Sequence, residues 1–264
     1  MKAGFLAIAL ALAVCGSGGA AQSQGRQPDG AKAVIVLTYD DALTSQLDHA
    51  IPVLDEAGFK GTFFLSNVKQ ADVPRWREAA AEGHELGNHT IFHPCAAATF
   101  AADPRYTSEA YTIPSMLKEI EQQNVLLTAI DGKPRHGLAT PCGESVAGGE
   151  DYIEALRAAG LVDYVRAASA SPDDVRAGIP GDDVMHIPAR GFAEDVTGRE
   201  LIAYAEQALG NGGMAVFLFH GVGGDYLQTS DAAHRELIAW LAAHRNELWV
   251  TTLGEVAGHV QARR

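Results

Sequence analysis

The chain is predicted to be an α/β protein in which parallel strands close, or nearly close, into a barrel with helices outside. Three observations predict this. Short apolar runs alternate with amphipathic stretches through most of the sequence, the pattern of repeated strand–helix units. Prolines sit near helix starts (Pro74, Pro114) and glycines just past helix ends (Gly58, Gly83, Gly160), so the helical stretches have definite limits. The 264 residues are 47% hydrophobic and 20% charged, which suits a single large core; α/β barrels of roughly 200–250 residues commonly fold as one domain.

In chain order, Ala33-Val34-Ile35-Val36-Leu37 is unbroken and apolar, as a strand buried on both faces requires, and places the first strand at Val34–Tyr39. Further strands are expected at Gly61–Leu65, Glu85–His89, Arg135–Thr140, Tyr164–Ala168, Met185–Ala189, Met214–Phe219 and Leu248–Thr252. Helical periodicity lies between them at Ser45–Ala57, Pro74–Glu82, Pro114–Ile130, Glu150–Ala159, Thr197–Leu209 and Ser230–Asn246. No internal repeat or low-complexity tract interrupts the alternation.

The N-terminus reads differently. Lys2 supplies a minimal positive region, Gly4 to Val14 are apolar but short for a bilayer span, and Gly16 to Ala21 are small. Residues 1–21 are therefore expected to be an export signal cleaved after Ala20 or Ala21, followed by a polar linker at 22–31 and one folded domain at 32–260. The expected location is periplasmic or extracellular, with no membrane span in the mature chain. A retained anchor, or lipid attachment at Cys15, is the alternative; Val14 is large for the position before a lipidated cysteine. Removing the signal leaves Cys95 and Cys142. An oxidising compartment favours a disulfide over a metal or redox motif, with two separate buried thiols as the alternative.

The formal charge of -13 argues against binding to nucleic acid or anionic lipid, which needs clustered cations. A neutral sugar is compatible, and Trp76, Tyr226 and Trp240 are the candidate aromatic platforms.

Polar residues mark the ends of the expected strands. Asp40 and Asp41 end the first, Asn67 follows the second, His89 ends the third, and Pro141-Cys142-Gly143 ends the fourth. Arg166 lies in the fifth, Arg190 ends the sixth and His220 the seventh. In a parallel barrel these ends meet on one rim. Adjacent strand residues face opposite ways, so Asp40 and Asp41 can share a site only if the strand stops and the chain turns there. His89 and His93 can aim two imidazoles at one ion. One carboxylate with two imidazoles is the ligand set of an open zinc or iron site, and the second carboxylate is left to act on water. The plainer readings are a turn role for the aspartates and a satisfied core histidine for His220. His49, His84, His136, His186, His234, His244 and His259 have no motif context.

Thr38-Tyr39-Asp40-Asp41-Ala42, His89-Thr90-Ile91-Phe92-His93-Pro94, Thr140-Pro141-Cys142-Gly143 and Phe217-Leu218-Phe219-His220 resemble, in order, motifs of the polysaccharide deacetylases, the NodB-homology or carbohydrate esterase family 4 group. The resemblance covers about residues 32–255. It implies a distorted (β/α) barrel that removes acetyl groups from amino sugars or sugar hydroxyls of an oligo- or polysaccharide. By motif, Asp41, His89 and His93 would bind one divalent metal: zinc, with cobalt or manganese as alternatives. Asp40 would be the base, His220 the acid, and the backbone N–H of Cys142 the oxyanion donor. Three positions depart from the motifs. Ala42 replaces a usual glycine, Ala139 stands where an arginine that orients the base is expected, and Cys142 replaces an aromatic residue. The fourth motif has no clear match. Arg166 or Arg190 is expected to substitute for the missing arginine. The same alignment brings Cys95 and Cys142 to one rim, so a disulfide clamping two loops is expected. Rival readings are a non-catalytic carbohydrate-binding relative, a hydrolase of a small non-peptide C–N bond, and a non-haem iron oxygenase.

Overall fold

The computed structural model describes residues 30–100, 103–169, 176–177 and 183–263. The expected signal at 1–21, Cys15 and nearly all of the 22–31 linker lie outside the described residues. The strands are β1 (Ala33–Asp40), β2 (Thr62–Leu65), β3 (Glu85–Asn88), β4 (Leu138–Ala139), β5 (Val146–Ala147), β6 (Glu150–Asp151), β7 (Val165–Ser169), β8 (Arg176–Ala177), β9 (Ile187–Gly191), β10 (Gly213–Phe219) and β11 (Leu248–Thr251). The α-helices are α1 (Ile51–Ala57), α2 (Val73–Ala81), α3 (Ile113–Asp131), α4 (Ile153–Ala159), α5 (Gly198–Asn211), α6 (Asp231–Ala243) and α7 (Leu253–Gln261).

A ring of seven parallel strands, β1-β2-β3-β4-β7-β9-β10, closes through β10 onto β1. The expected parallel barrel is present. One edge of β1 is fully used by β10, from Val34 opposite Met214 to Tyr39 opposite Phe219. The other edge is divided: β11 pairs with Ala33–Val36 and β2 with Thr38–Asp40. That division is the distortion of the barrel.

Strand periodicity separates two apolar layers. Ala33, Ile35, Leu37 and Tyr39 of β1, with Ala215, Phe217 and Phe219 of β10, pack among the side chains of α1, α5 and α6. Val34, Val36, Met214, Val216 and Leu218 lie in a second cluster with Phe64, Tyr164, Ile187 and the apolar face of α7. Every residue of β1 is buried. The even-numbered side of β1 ends in Asp40, so strand parity carries that carboxylate inward.

Several expected boundaries shift for local reasons. β4 is only two residues long, although backbone bonds to the β7 segment run from the Asp163 N–H on the His136 carbonyl (3.0 Å) to the Thr140 N–H on the Arg166 carbonyl (3.1 Å). The helix expected from Glu150 starts at Ile153, since residues 146–151 form the β5–β6 hairpin. Its Gly148-Gly149 turn has both φ values positive, the two-residue geometry that only such sequences adopt readily. The helix expected from Ser45 opens with a wide π turn at Gln46–Ala50, and Pro52 follows at the start of α1. Helix α7 was not expected; Thr252 caps it by accepting the Glu255 N–H. Among the described residues, no helix is long and apolar enough to cross a membrane.

Candidate metal centre

The rim is built from backbone that most residues avoid. After β1 ends at Asp40, Asp41 (φ 78°) and Ala42 (φ 53°) are left-handed. This turn brings Asp41 back beside Asp40 instead of onto the opposite face. Thr90 (φ 59°), His93 (φ 53°) and Cys142 (φ 52°) repeat the device at the ends of β3 and β4. Such conformations carry strain in non-glycine residues and gather at functional sites.

Asp41, His89 and His93 converge. His89 Nε2 and His93 Nε2 are 3.1 Å apart; Asp41 Oδ1 is 3.5 Å from the first and 3.6 Å from the second. A tetrahedral ion with bonds of about 2.0–2.1 Å has ligand–ligand edges of about 3.3 Å. The triangle fits such an ion. The tautomers fit as well. His89 Nδ1–H donates to the Ala139 carbonyl at 2.9 Å, which leaves the Nε2 lone pair free. His93 Nδ1 faces the Cys95 sulfur at 3.4 Å, a weak acceptor. Two lone pairs therefore aim at one point, an arrangement that a cation relieves.

The imidazole loop is fixed from beneath. Asn88 donates to the Ile120 carbonyl and to Asn124 Oδ1, both at 2.8 Å, and accepts the Thr90 N–H. Glu119 on α3 accepts the N–H groups of Ile91 (3.0 Å) and Phe92 (2.9 Å), while the Tyr111 hydroxyl donates to its other oxygen. Burial and neighbouring His89 lower the His93 pKa to about 4, so this ring is neutral, as a ligand must be, across the ordinary pH range.

Asp40 sits beside the triangle, with Oδ2 3.6 Å from His89 Nε2. The Arg166 guanidinium holds both of its oxygens at 2.5 Å. The side chains of both are almost wholly buried. Burial pushes the Asp40 carboxyl up, but Arg166, His89 and His220 together hold it below the usual carboxylate range. Arg166 on β7 thus stands where the expected motif arginine is missing at Ala139. Arg190, the other candidate, does not: its guanidinium lies 5.0 Å over both the Phe192 and Tyr204 rings.

His220 follows β10 on the far side, its Nε2 3.8 Å from Asp41 Oδ2. Gln46 spans the two strand ends by donating to the backbone carbonyls of Asp40 (2.6 Å) and His220 (3.0 Å). Neither Gln46 nor Glu119 was singled out from sequence, since their roles are side-chain contacts with backbone carbonyls or N–H groups that no local motif marks. Tyr226 was considered only as a platform; its hydroxyl donates to Asp41 Oδ2 at 2.9 Å, and burial with the Asp41 charge raises its pKa. Of the other two platform candidates, Trp76 is fully buried against Phe63, and Trp240 is stacked on His244 at 4.0 Å. Trp76 therefore offers no ring to a sugar, whereas Trp240 remains half-buried.

Cys95 and Cys142 form the expected disulfide, Cα atoms 5.7 Å apart. It ties the loop after His93 to the turn after β4. Glu144 reinforces the tie by accepting the Ala96 N–H at 2.8 Å and the Thr99 hydroxyl. Being bonded to each other, these sulfurs are not thiolate ligands beside His93.

The family model described as polysaccharide deacetylase matches residues 27–163, just over half of the chain. A gellan lyase of a Bacillus species is 27% identical over 247 residues; the match takes in 86% of this chain but only 9% of that protein. Among solved structures, a Mycobacterium smegmatis protein assigned to the polysaccharide deacetylases superposes with a TM-score of 0.63 at 20% identity, over 90% of this chain and 93% of the other. The peptidoglycan deacetylase PdaC of Bacillus subtilis gives 0.59 at 20% identity, over 89% and 95%.

Proposed function

Because the chain belongs to the polysaccharide deacetylase family, we propose that it is an exported, cation-dependent hydrolase that removes acetyl groups from an N-acetylated or O-acetylated carbohydrate. The observation that carries the reading is the convergence of Asp41, His89 and His93 beside an Asp40 that a buried arginine holds ionised. Asp41, His89 and His93 would hold the cation, zinc by the preference of one carboxylate and two imidazoles, with cobalt or manganese as alternatives. When bound, it supplies Lewis acidity to the acetyl carbonyl and lowers the pKa of a water toward about 7.

The protein's own groups do the rest. Asp40 takes a proton from the water as its oxygen bonds to the acetyl carbon. Arg166 keeps that carboxylate ionised and aimed. The Cys142 N–H donates to the developing oxyanion from the turn that the disulfide secures. His220, on the opposite side, gives its proton to the departing nitrogen or oxygen as the bond to the acetyl carbon breaks. Acetate and a free amine or hydroxyl result.

The test is acetate release from N-acetylglucosamine oligomers, peptidoglycan and acetylated xylan, with zinc, cobalt or manganese restored after chelation. Asp40→Asn and His220→Ala should each lower turnover by about 10²–10⁴-fold while bound metal stays stoichiometric. Full turnover in Asp40→Asn would remove the assigned base. Sugar binding without acetate release under every metal would instead make the chain a non-catalytic relative.

A further inference from the structure

We propose that Tyr226 is a positioning residue of the metal centre: its phenol O–H holds Oδ2 of Asp41, so the carboxylate offers only Oδ1 to the cation and a coordination position stays open. This rests on Asp41, His89 and His93 being the ligand set. The two oxygens of Asp41 have different surroundings. Oδ1 is 3.5 and 3.6 Å from the two imidazole nitrogens, whereas Oδ2 is 2.9 Å from the Tyr226 hydroxyl and 3.8 Å from His220 Nε2. A free carboxylate can turn both oxygens to one ion. One whose second oxygen accepts a hydrogen bond is held to a single contact.

The loop that carries Tyr226 is built to keep that aim. The Gly221 N–H donates to the Tyr226 carbonyl (3.2 Å), and the Thr229 N–H donates to the Gly221 carbonyl (2.9 Å). Next to Tyr226, Asp225 accepts the Ser45 N–H at 2.8 Å, which ties the loop to the turn after β1. Both sequence neighbours of Tyr226 are left-handed, Asp225 at φ 61° and Leu227 at φ 45°. A Cβ on Gly221 would lie 2.1 Å from the Gly224 carbonyl oxygen, so the tight fold of this loop requires glycine there. A half-exposed tyrosine on a strained, pinned loop has its hydroxyl on a ligand oxygen; packing alone requires none of this.

The test uses the whole chain, loaded with Zn²⁺ or Co²⁺ alone. Tyr226→Phe keeps the ring and removes only the hydroxyl. It should weaken Zn²⁺ affinity roughly 10–100-fold in competition with a chelating dye, and change the visible bands of bound Co²⁺ as the second Asp41 oxygen joins the ion, with the circular dichroism unaltered. Leu227→Ala, on the same loop at an exposed aliphatic side chain that cannot donate to Asp41, should leave both readouts as in the wild type. The proposal is overturned if Tyr226→Phe keeps wild-type affinity and spectrum, or if Leu227→Ala shifts them equally. Failure of the ligand set itself looks different: the unaltered protein would then bind no Zn²⁺, or Asp41→Ala would bind it undiminished.

Discussion

Replacing Arg166 with Met removes one member of an ion pair whose side chains are 1% and 4% exposed. No discount for solvent screening applies at such burial, and the other member is left as an uncompensated carboxylate. Losing one partner of a buried pair costs about 3–5 kcal/mol, so the metal-free Arg166→Met protein should be less stable by that amount at pH 7. The loss should depend on pH with a definite sign. In the wild type the Asp40 pKa is lowered, so its contribution is present above the unfolded value of about 3.9 and fades as pH falls through the folded one. In the variant burial is opposed only by His89 and His220, and the carboxylate becomes a liability that grows as pH rises above that unfolded value. Both trends make the gap widest near neutrality and narrowest in acid. Urea unfolding of both proteins in chelator at pH 7, 5 and 4 measures it, and adding Asp40→Asn to Arg166→Met should recover much of the loss. A gap below about 1 kcal/mol at pH 7, the worth of an exposed pair, or an equal gap at pH 4, would refute the reasoning. The companion Arg190→Met should leave acetate turnover unchanged, because that guanidinium lies over aromatic rings rather than on Asp40.

Reducing the Cys95–Cys142 bond, which closes a separation of 47 residues, should cost roughly 4 kcal/mol in the chain-entropy picture and weaken metal binding, since Cys95 adjoins His93; urea midpoints and dye competition with and without reductant would show it. His234 is fully buried, with its pKa lowered to about 4 by desolvation. The unfolded chain then binds the extra proton between pH 6.5 and 4, stability falls across that window as pH drops, and His234→Gln should flatten the slope seen by urea unfolding. Gly137→Ala would put a methyl 2.0 Å from the Tyr164 ring and should lower stability by about 1–3 kcal/mol through overpacking, measured as a fall in urea midpoint.

What the sequence made legible follows from the range of each interaction. β1 and β10 were readable because strands buried on both faces read as nearly continuous apolar runs, and their order along the chain sets the ring. The convergence of Asp41, His89 and His93 was readable because the three lie in short motifs at strand ends. The β5–β6 hairpin was missed although Gly148-Gly149 is a turn signal, because each strand is only two residues long. Gln46, Glu119 and the Tyr226 hydroxyl were beyond reach for another reason. Each acts on a partner 6 to 185 positions away, and nothing local distinguishes a glutamine that bridges two carbonyls from one facing solvent. The choice between Arg166 and Arg190 was likewise a matter of side-chain direction, which strand position alone did not give.

The two aspartates show how such distant partners set local electrostatics. Asp40 Oδ2 and Asp41 Oδ1 are nearly equidistant from His89 Nε2, at 3.6 and 3.5 Å, so proximity does not separate the proposed base from the proposed ligand. Their partners differ. A guanidinium takes both oxygens of Asp40, offsetting its charge and opposing its movement toward a second cation. Asp41 receives a neutral phenol on one oxygen, which leaves its charge and its other oxygen for the ion. In the proposed loaded site, Asp40 with Arg166 sums to zero, and Asp41 with two neutral imidazoles leaves a divalent cation one positive charge in excess. That excess is what a developing oxyanion meets. Without Arg166, Asp40 would be drawn to the cation as a further ligand, and the site would lose its base and its surplus charge together. The arginine's place on β7 instead of β4 changes neither consequence, because both depend on where the guanidinium ends and not on the strand that carries it.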